Sequence, residues 1–202
     1  IQLTKNAETY KYNLKWSPDG KKILWNDKKL RLRFVDIDSK KITDVAQSKI
    51  WEYNSFNWSP DSKWIAYANP EKNSMSVICL YSLEKSESYE ITKGWYSSYA
   101  PEFSENGKYL FYVSDRDFNP IYSSTEWNHA FSEMSRIYLI TLQKKTKSPF
   151  APENDEVSIK EEENTDEKKK TEKEEKDENI IIDIDGIKDR VVNLPVKTAL
   201  YW

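Results

Sequence analysis

The chain has 202 residues, 14% aromatic and 32% charged, with a formal net charge of −3. No apolar run approaches the roughly 20 residues of a membrane-spanning helix, and the single cysteine, Cys79, excludes an intrachain disulfide. Only four glycines are present, at 20, 94, 107 and 186, and none lies close to another, which excludes a glycine-rich phosphate loop.

In chain order, Leu3-Thr4 reads as the fourth strand of a blade that begins upstream. A ten-residue phrase then occurs three times, WSPDGKKILW at 16–25, WSPDSKWIAY at 58–67 and FSENGKYLFY at 103–112, at spacings of 42 and 45. That period belongs to propeller repeats. Ser17-Pro18-Asp19-Gly20 has the chemistry of a tight type I turn, with Pro presetting φ at the second position and Gly at the last. Before each turn the apolar residues alternate, as Tyr12, Leu14, Trp16, then Phe56, Trp58, then Tyr99, Pro101, Phe103. After it comes a dense apolar run, Ile23-Leu24-Trp25, Ile65-Ala66-Tyr67 and Leu110-Phe111-Tyr112, as for a strand covered on both faces. A third strand follows at 30–37, 75–81 and 136–142, and short fourth strands are expected at Ile42-Thr43 and Ile91-Thr92.

The fold class is therefore all-β, an arc of three to four four-stranded antiparallel blades of an incomplete β-propeller. Repeat units fall at about 1–41, 42–90 and 91–152, and 180–202 supplies a closing strand and the start of the next blade. Propellers close with roughly 4 to 8 blades, so the arc is expected to be a piece of a larger domain, cut at both ends. Trp16, Trp58 and Phe103 are expected at equivalent buried positions. Residues 153–179 hold thirteen acids and six lysines, leaving 25 basic and 21 acidic residues elsewhere. So charged and so poor in apolar residues, this insertion is expected to be disordered, a solvated loop or a site for a basic partner.

In a meander the connections alternate between the two ends of a blade. The end opposite the Ser-Pro-Asp-Gly turns collects the fourth-to-first connections (5–10, 44–52, 93–98) and the second-to-third ones (26–29, 68–74, 113–135). The last is unusually long, and long loops in compact domains are commonly functional. Trp51, Trp95, Tyr96, Arg116, Trp127, His129 and Phe131 thus form the candidate rim for a peptide or protein partner, or else fold back over a blade edge.

Other chemistry is sparse. His129 is the only histidine, has no His or Cys companion at ligand spacing, and no nucleophile stands in a strained elbow. Neither a metal nor any other cofactor is expected. IDIDGIKD at 182–189 is a near miss for a calcium loop, since Ile181 and Val192 occupy places that need acids; Asp183 and Asp185 read as outward residues on a strand entering an Asp-Gly turn. Cys79 reads as a buried structural thiol. Asn57-Trp58-Ser59 matches a glycosylation acceptor but lies in a core strand. Without a basic stripe, nucleic acid is not an expected partner.

The repeat phrase resembles the WD40-like repeats of TolB-type, prolyl-oligopeptidase-type and tricorn propellers. YVSDRDFNPIYSS at 112–124, EWNHAFSEMSRIYLITLQKKTKSPFAPENDEV at 126–157 and IDIDGIKDRVVNLPV at 182–196 more specifically resemble the second, seven-bladed propeller of tricorn-type serine peptidases. The resemblance implies a peptidase parent whose serine nucleophile lies in a separate C-terminal domain beside a PDZ-like module. It implies that this segment carries no catalytic residue and gates or guides peptide substrates. Implied partners are those peptides, the remaining blades and domains of the parent chain, and a homo-oligomer; the implied compartment is the cytoplasm, or the periplasm in exported relatives. The alternatives are a non-enzymatic TolB-like binding propeller and the propeller of a dipeptidyl- or prolyl-oligopeptidase-like enzyme.

Overall fold

Each repeat phrase closes the same serine-centred turn. In the computed structural model, which describes residues 2–5, 8–117, 120–122, 129–131, 133–151 and 179–201, the amides of Ser17, Ser59 and Ser104 donate to the carbonyls of Lys22, Trp64 and Tyr109, all at 2.9 Å. Their hydroxyls accept the amides of those same three residues at 2.9 Å and donate to Asp19, Asp61 and Asn106 at 2.5, 2.5 and 2.8 Å. Those Asp and Asn oxygens in turn accept the amides of Lys21, Lys63 and Lys108. The last turn residues, Gly20, Ser62 and Gly107, have φ of +69°, +60° and +65°. Ser62 takes a left-handed conformation that costs an L-residue roughly 1–2 kcal/mol, and its hydroxyl accepts the Asp19 amide at 3.0 Å, tying two successive turns together.

The turns join strands into three antiparallel four-stranded sheets. The first is β1 (Lys11–Trp16), β2 (Lys22–Asp27), β3 (Arg31–Asp36) and β4 (Ile42–Gln47); the second is β5 (Phe56–Trp58), β6 (Trp64–Pro70), β7 (Ser76–Ser82) and β8 (Glu87–Glu90). The third takes β9 (Ser98–Phe103) and β10 (Tyr109–Asp115), then β13 (Ser135–Thr141) and β14 (Val191–Asn193). Within the long second-to-third connection, β11 (Pro120–Tyr122) and β12 (His129–Phe131) pair as a separate ribbon. The fourth strand of the second sheet lies at 87–90, earlier than Ile91-Thr92. Those two residues are instead buried as the chain leaves the sheet, Ile91 in the core and Thr92 accepting the Ile78 amide at 2.9 Å.

Two aromatic-rich cores lie between the sheets. Leu24, Leu32, Phe34 and Val45 of the first sheet pack against Tyr53 and against Phe56, Trp58, Ile65, Tyr67, Val77, Cys79 and Tyr81 of the second. Ala66, Ile78 and Leu80 pack against Phe103, Leu110, Tyr112, Tyr138 and Ile140 of the third. The third sheet approaches the second through its first strand, β9, which packs against β5, β6 and β7. Trp58 and Phe103 are 5% and 7% exposed, but their counterpart Trp16 is 60% exposed. The first strand of a sheet is covered by the sheet before it; among the described residues no strand lies on that side of β1, where Leu3 packs against Ile23, Trp25 and Val35.

Residues 179–190 return to brace the second and third sheets. The Ile180 amide donates to Asp61 at 2.8 Å, Lys63 donates to Asn179, and Ile187 is buried in the core between the sheets. Arg190 donates to the carbonyls of Thr141, Leu142, Asp183 and Asp185. No strand ladder forms at 181–185. Asp183 and Asp185 instead hold Lys144, through its amide at 2.8 Å and its ammonium at 2.6 Å, before Gly186 (φ +69°) opens a 3-10 turn, η1 (Ile187–Asp189). The insertion 153–179, save Asn179, lies outside the described residues, as does Trp127.

At Gly107 an added Cβ meets Ile180 Cγ1 at 2.6 Å, whereas at Gly20 it meets nothing within 4 Å. Gly20→Ala is expected to cost the left-handed backbone penalty alone, about 1 kcal/mol, and Gly107→Ala a further 1–3 kcal/mol or so from overpacking. Urea denaturation of both variants checks this; equal midpoints would show that Ile180 does not seat on the turn. Burial pushes the Cys79 thiol from its ordinary 9 up to about 12. Because the folded value is raised, the contribution to stability is complete below about pH 9 and is lost as pH rises toward 12. The native thiol should react far more slowly with a disulfide reagent at pH 8 than the urea-unfolded one, and equal rates would contradict its burial.

Candidate functional site

Two cavities open beside the connections that the sequence marks as the rim. The first, about 450 Å³, is lined by the fourth-to-first connection of the opening two sheets (Ile50, Trp51, Glu52, Asn54, Ser55), by the β6–β7 hairpin with Met75 and Ser76, and by Tyr99 of β9. The hairpin is tight: the Ser74 amide donates to Glu71 and the Glu71 amide to Met75, while Asn73 accepts the Met75 amide and donates to the Gly94 carbonyl. That leaves Trp51, 66% exposed, with Ile50 and Met75 as an apolar lip. The charged side chains lining it are Glu52 and Glu71.

Behind this cavity Tyr99 donates to Asp115 at 3.1 Å, Ser135 donates to the same oxygen at 2.7 Å, and the two hydroxyls lie 3.0 Å apart. The triangle ties β9, β10 and β13 together through the Asp115 carboxylate, which accepts from both hydroxyls.

The second cavity, about 410 Å³, lies in the groove between the second and third sheets and is lined by Thr92, Lys93, Trp95, Tyr96, Arg116, Lys188 and Val191. Three residues of the sequence-derived rim thus meet here: Trp95, Tyr96 and Arg116. Trp95 is 81% exposed. The Arg116 guanidinium lies 4.6 Å from the Tyr138 ring centre and 5.6 Å from that of Tyr112. It donates to the Tyr112 hydroxyl at 2.9 Å and to Ser114 at 3.0 Å. Burial pushes the Tyr112 phenol up to about 12, so this hydroxyl is neutral and does not itself cancel the arginine charge. The other cations are held in exposed ion pairs, Lys188 with Glu90 at 2.7 Å and Lys93 with Asp189 at 3.3 Å.

Trp51 stands apart in the first cavity. His129 and Phe131 lie on β12, where their backbones face Tyr122 and Pro120 of β11, and Trp127 falls outside the described residues. Sequence reading missed Lys93 and Lys188. Lys188 follows the Asp-Gly phrase and is 72 positions from Arg116, so no local pattern announces their meeting. Among the described residues no group of three His, Cys, Asp or Glu side chains is placed to hold a metal, and no helix is long and apolar enough to cross a membrane.

A family model described as the tricorn protease second beta propeller domain matches residues 1–202. Tricorn protease homolog 1 of Streptomyces coelicolor is 31% identical over 185 residues, 92% of this chain and 17% of its own length. The tricorn protease homolog of Saccharolobus solfataricus is 30% identical over 188 residues, 93% of this chain and 16% of its own length. The crystal structure of the tricorn protease superposes with a TM-score of 0.76 over 94% of this chain and 17% of that one, at 20% identity, and shows the same fold. The chain therefore spans under a fifth of each of these proteins. With its three serine-turned sheets and its closing strand after a charged insertion, the chain belongs to the tricorn protease second β-propeller domain family.

Proposed function

We propose that this propeller segment is a non-catalytic wall of a tricorn-like serine peptidase, guiding extended peptides toward a catalytic domain elsewhere in the parent chain. The observation that carries the reading is the first cavity. It opens beside the fourth-to-first connection at 50–55 and Tyr99 of the first strand β9, and it presents Trp51, Ile50 and Met75 as an apolar lip. A ring opening admits an extended chain and excludes a folded domain, so size selection needs no chemistry from the wall. Exposed aromatic and thioether side chains grip many sequences weakly, because their contacts depend on area rather than on specific hydrogen bonds. Family membership favours this reading over a TolB-like binding protein.

In the parent protein, Trp51→Ala is expected to lower kcat/KM about fivefold on a peptide long enough to span the ring, the loss typical of one exposed aromatic anchor. Turnover of a dipeptide-sized chromogenic substrate should be unchanged. Equal losses on both substrates, or none on the long one, would refute guidance by this lip.

A further inference from the structure

The second cavity differs from the first in charge and in place. Among the described residues its charged lining is cationic, Lys93, Arg116 and Lys188, whereas that of the first is Glu52 and Glu71. It runs toward the fourth-strand side of the groove, where Lys188 reaches Glu90 of β8 and Val191 begins β14. We propose that it is a docking site for a peptide carboxylate next to an apolar side chain, separate from the route by which substrates are guided.

Arg116 is preorganised for this task. Its bonds to Tyr112 and Ser114 and its place over Tyr138 fix the guanidinium plane, and among the described residues its hydrogen-bond partners are neutral, so the charge is oriented and retained. The two lysines surround it in exposed pairs, and such pairs contribute little and exchange readily for a ligand carboxylate. Trp95 and Tyr96 supply flat apolar area beside these charges, and Trp95 is almost fully exposed on the connection between β8 and β9. A cationic centre flanked by aromatic rings matches a carboxylate followed or preceded by an apolar residue. It does not match a basic peptide, which the lysines repel. The carboxylate has two sources, the free C-terminus of a peptide and an acidic side chain.

The test uses the whole parent protein and three short benzoylphenylalanine-containing peptides. One has a free C-terminus and no acidic residue, one is amidated with a single Glu, and one is amidated with Gln in place of that Glu. After irradiation the crosslinked residues are mapped by mass spectrometry. Crosslinking to residues 92–96 by the first or second peptide, about tenfold above the third, is expected, as a charge-assisted hydrogen bond would give. The first two peptides distinguish C-terminal from side-chain recognition. Arg116→Gln should abolish the preference. Because Arg116 also packs on two tyrosines, Lys93→Gln with Lys188→Gln, both on the surface, serves as the second variant and should reduce the preference while leaving the thermal midpoint nearly unchanged. Equal labelling by all three peptides, labelling elsewhere, or a preference untouched by the double lysine variant would overturn the assignment. Because Trp51 lines the other cavity, failure of the guidance experiment would leave this result standing, and the reverse holds too.

Discussion

An aromatic first strand buried in the face of the preceding sheet is the contact on which the rest of this arc depends. Phe56 and Trp58 enter the face made by Leu24 and Phe34, with Trp58 edge-on to Phe34 at 6.0 Å between ring centres and its indole N–H donating to the Lys15 carbonyl at 3.2 Å. Phe103 repeats the arrangement against Ile78 and Leu80. A four-stranded sheet alone cannot shield both of its faces, so each blade is stabilised by its neighbours and stability accumulates along the array. The serine-centred turn serves this packing. By fixing the hairpin register it sends the aromatic residue before it and the apolar run after it to the correct faces.

Polar groups then set how far apart the blades sit. Ser62 accepts the Asp19 amide across the first junction, and at the second, Ser55 accepts the amide of Ala100 at 2.8 Å. The returning strand of chain at 179–190 adds a brace, with Asp61 receiving an amide from 119 positions away. Its charged contacts are exposed and individually weak. The burial of Ile187 and the four carbonyls gathered by Arg190 hold it in place more firmly.

Both cavities border the connections that cross from a fourth strand to the next first strand. The bridges at 48–55 and 91–97 carry Tyr53, which is buried in the core, and Trp51 and Trp95, which stand exposed beside the cavities. The opposite charges of the two cavities arise from which hairpin and which terminal segment happen to border each, Glu71 from one and Lys188 from the other.

The sequence by itself determined the repeat, the turns, the face alternation of each strand and, through the phrases at 112–124, 126–157 and 182–196, the family. These are legible because they depend on residues a few positions apart, whose geometry is set by φ preferences and the two-residue period of a strand. Four features escaped it: the exposure of Trp16, the early fourth strand at 87–90, the missing ladder at 181–185, and the meeting of Arg116 with Lys93 and Lys188. Trp16 and Trp58 occupy the same local phrase and differ only in whether a sheet lies beside them, which no local pattern encodes. The cationic cavity likewise joins three segments through the angle between two sheets, a quantity set by the summed packing of both cores, and only the tertiary structure decided it.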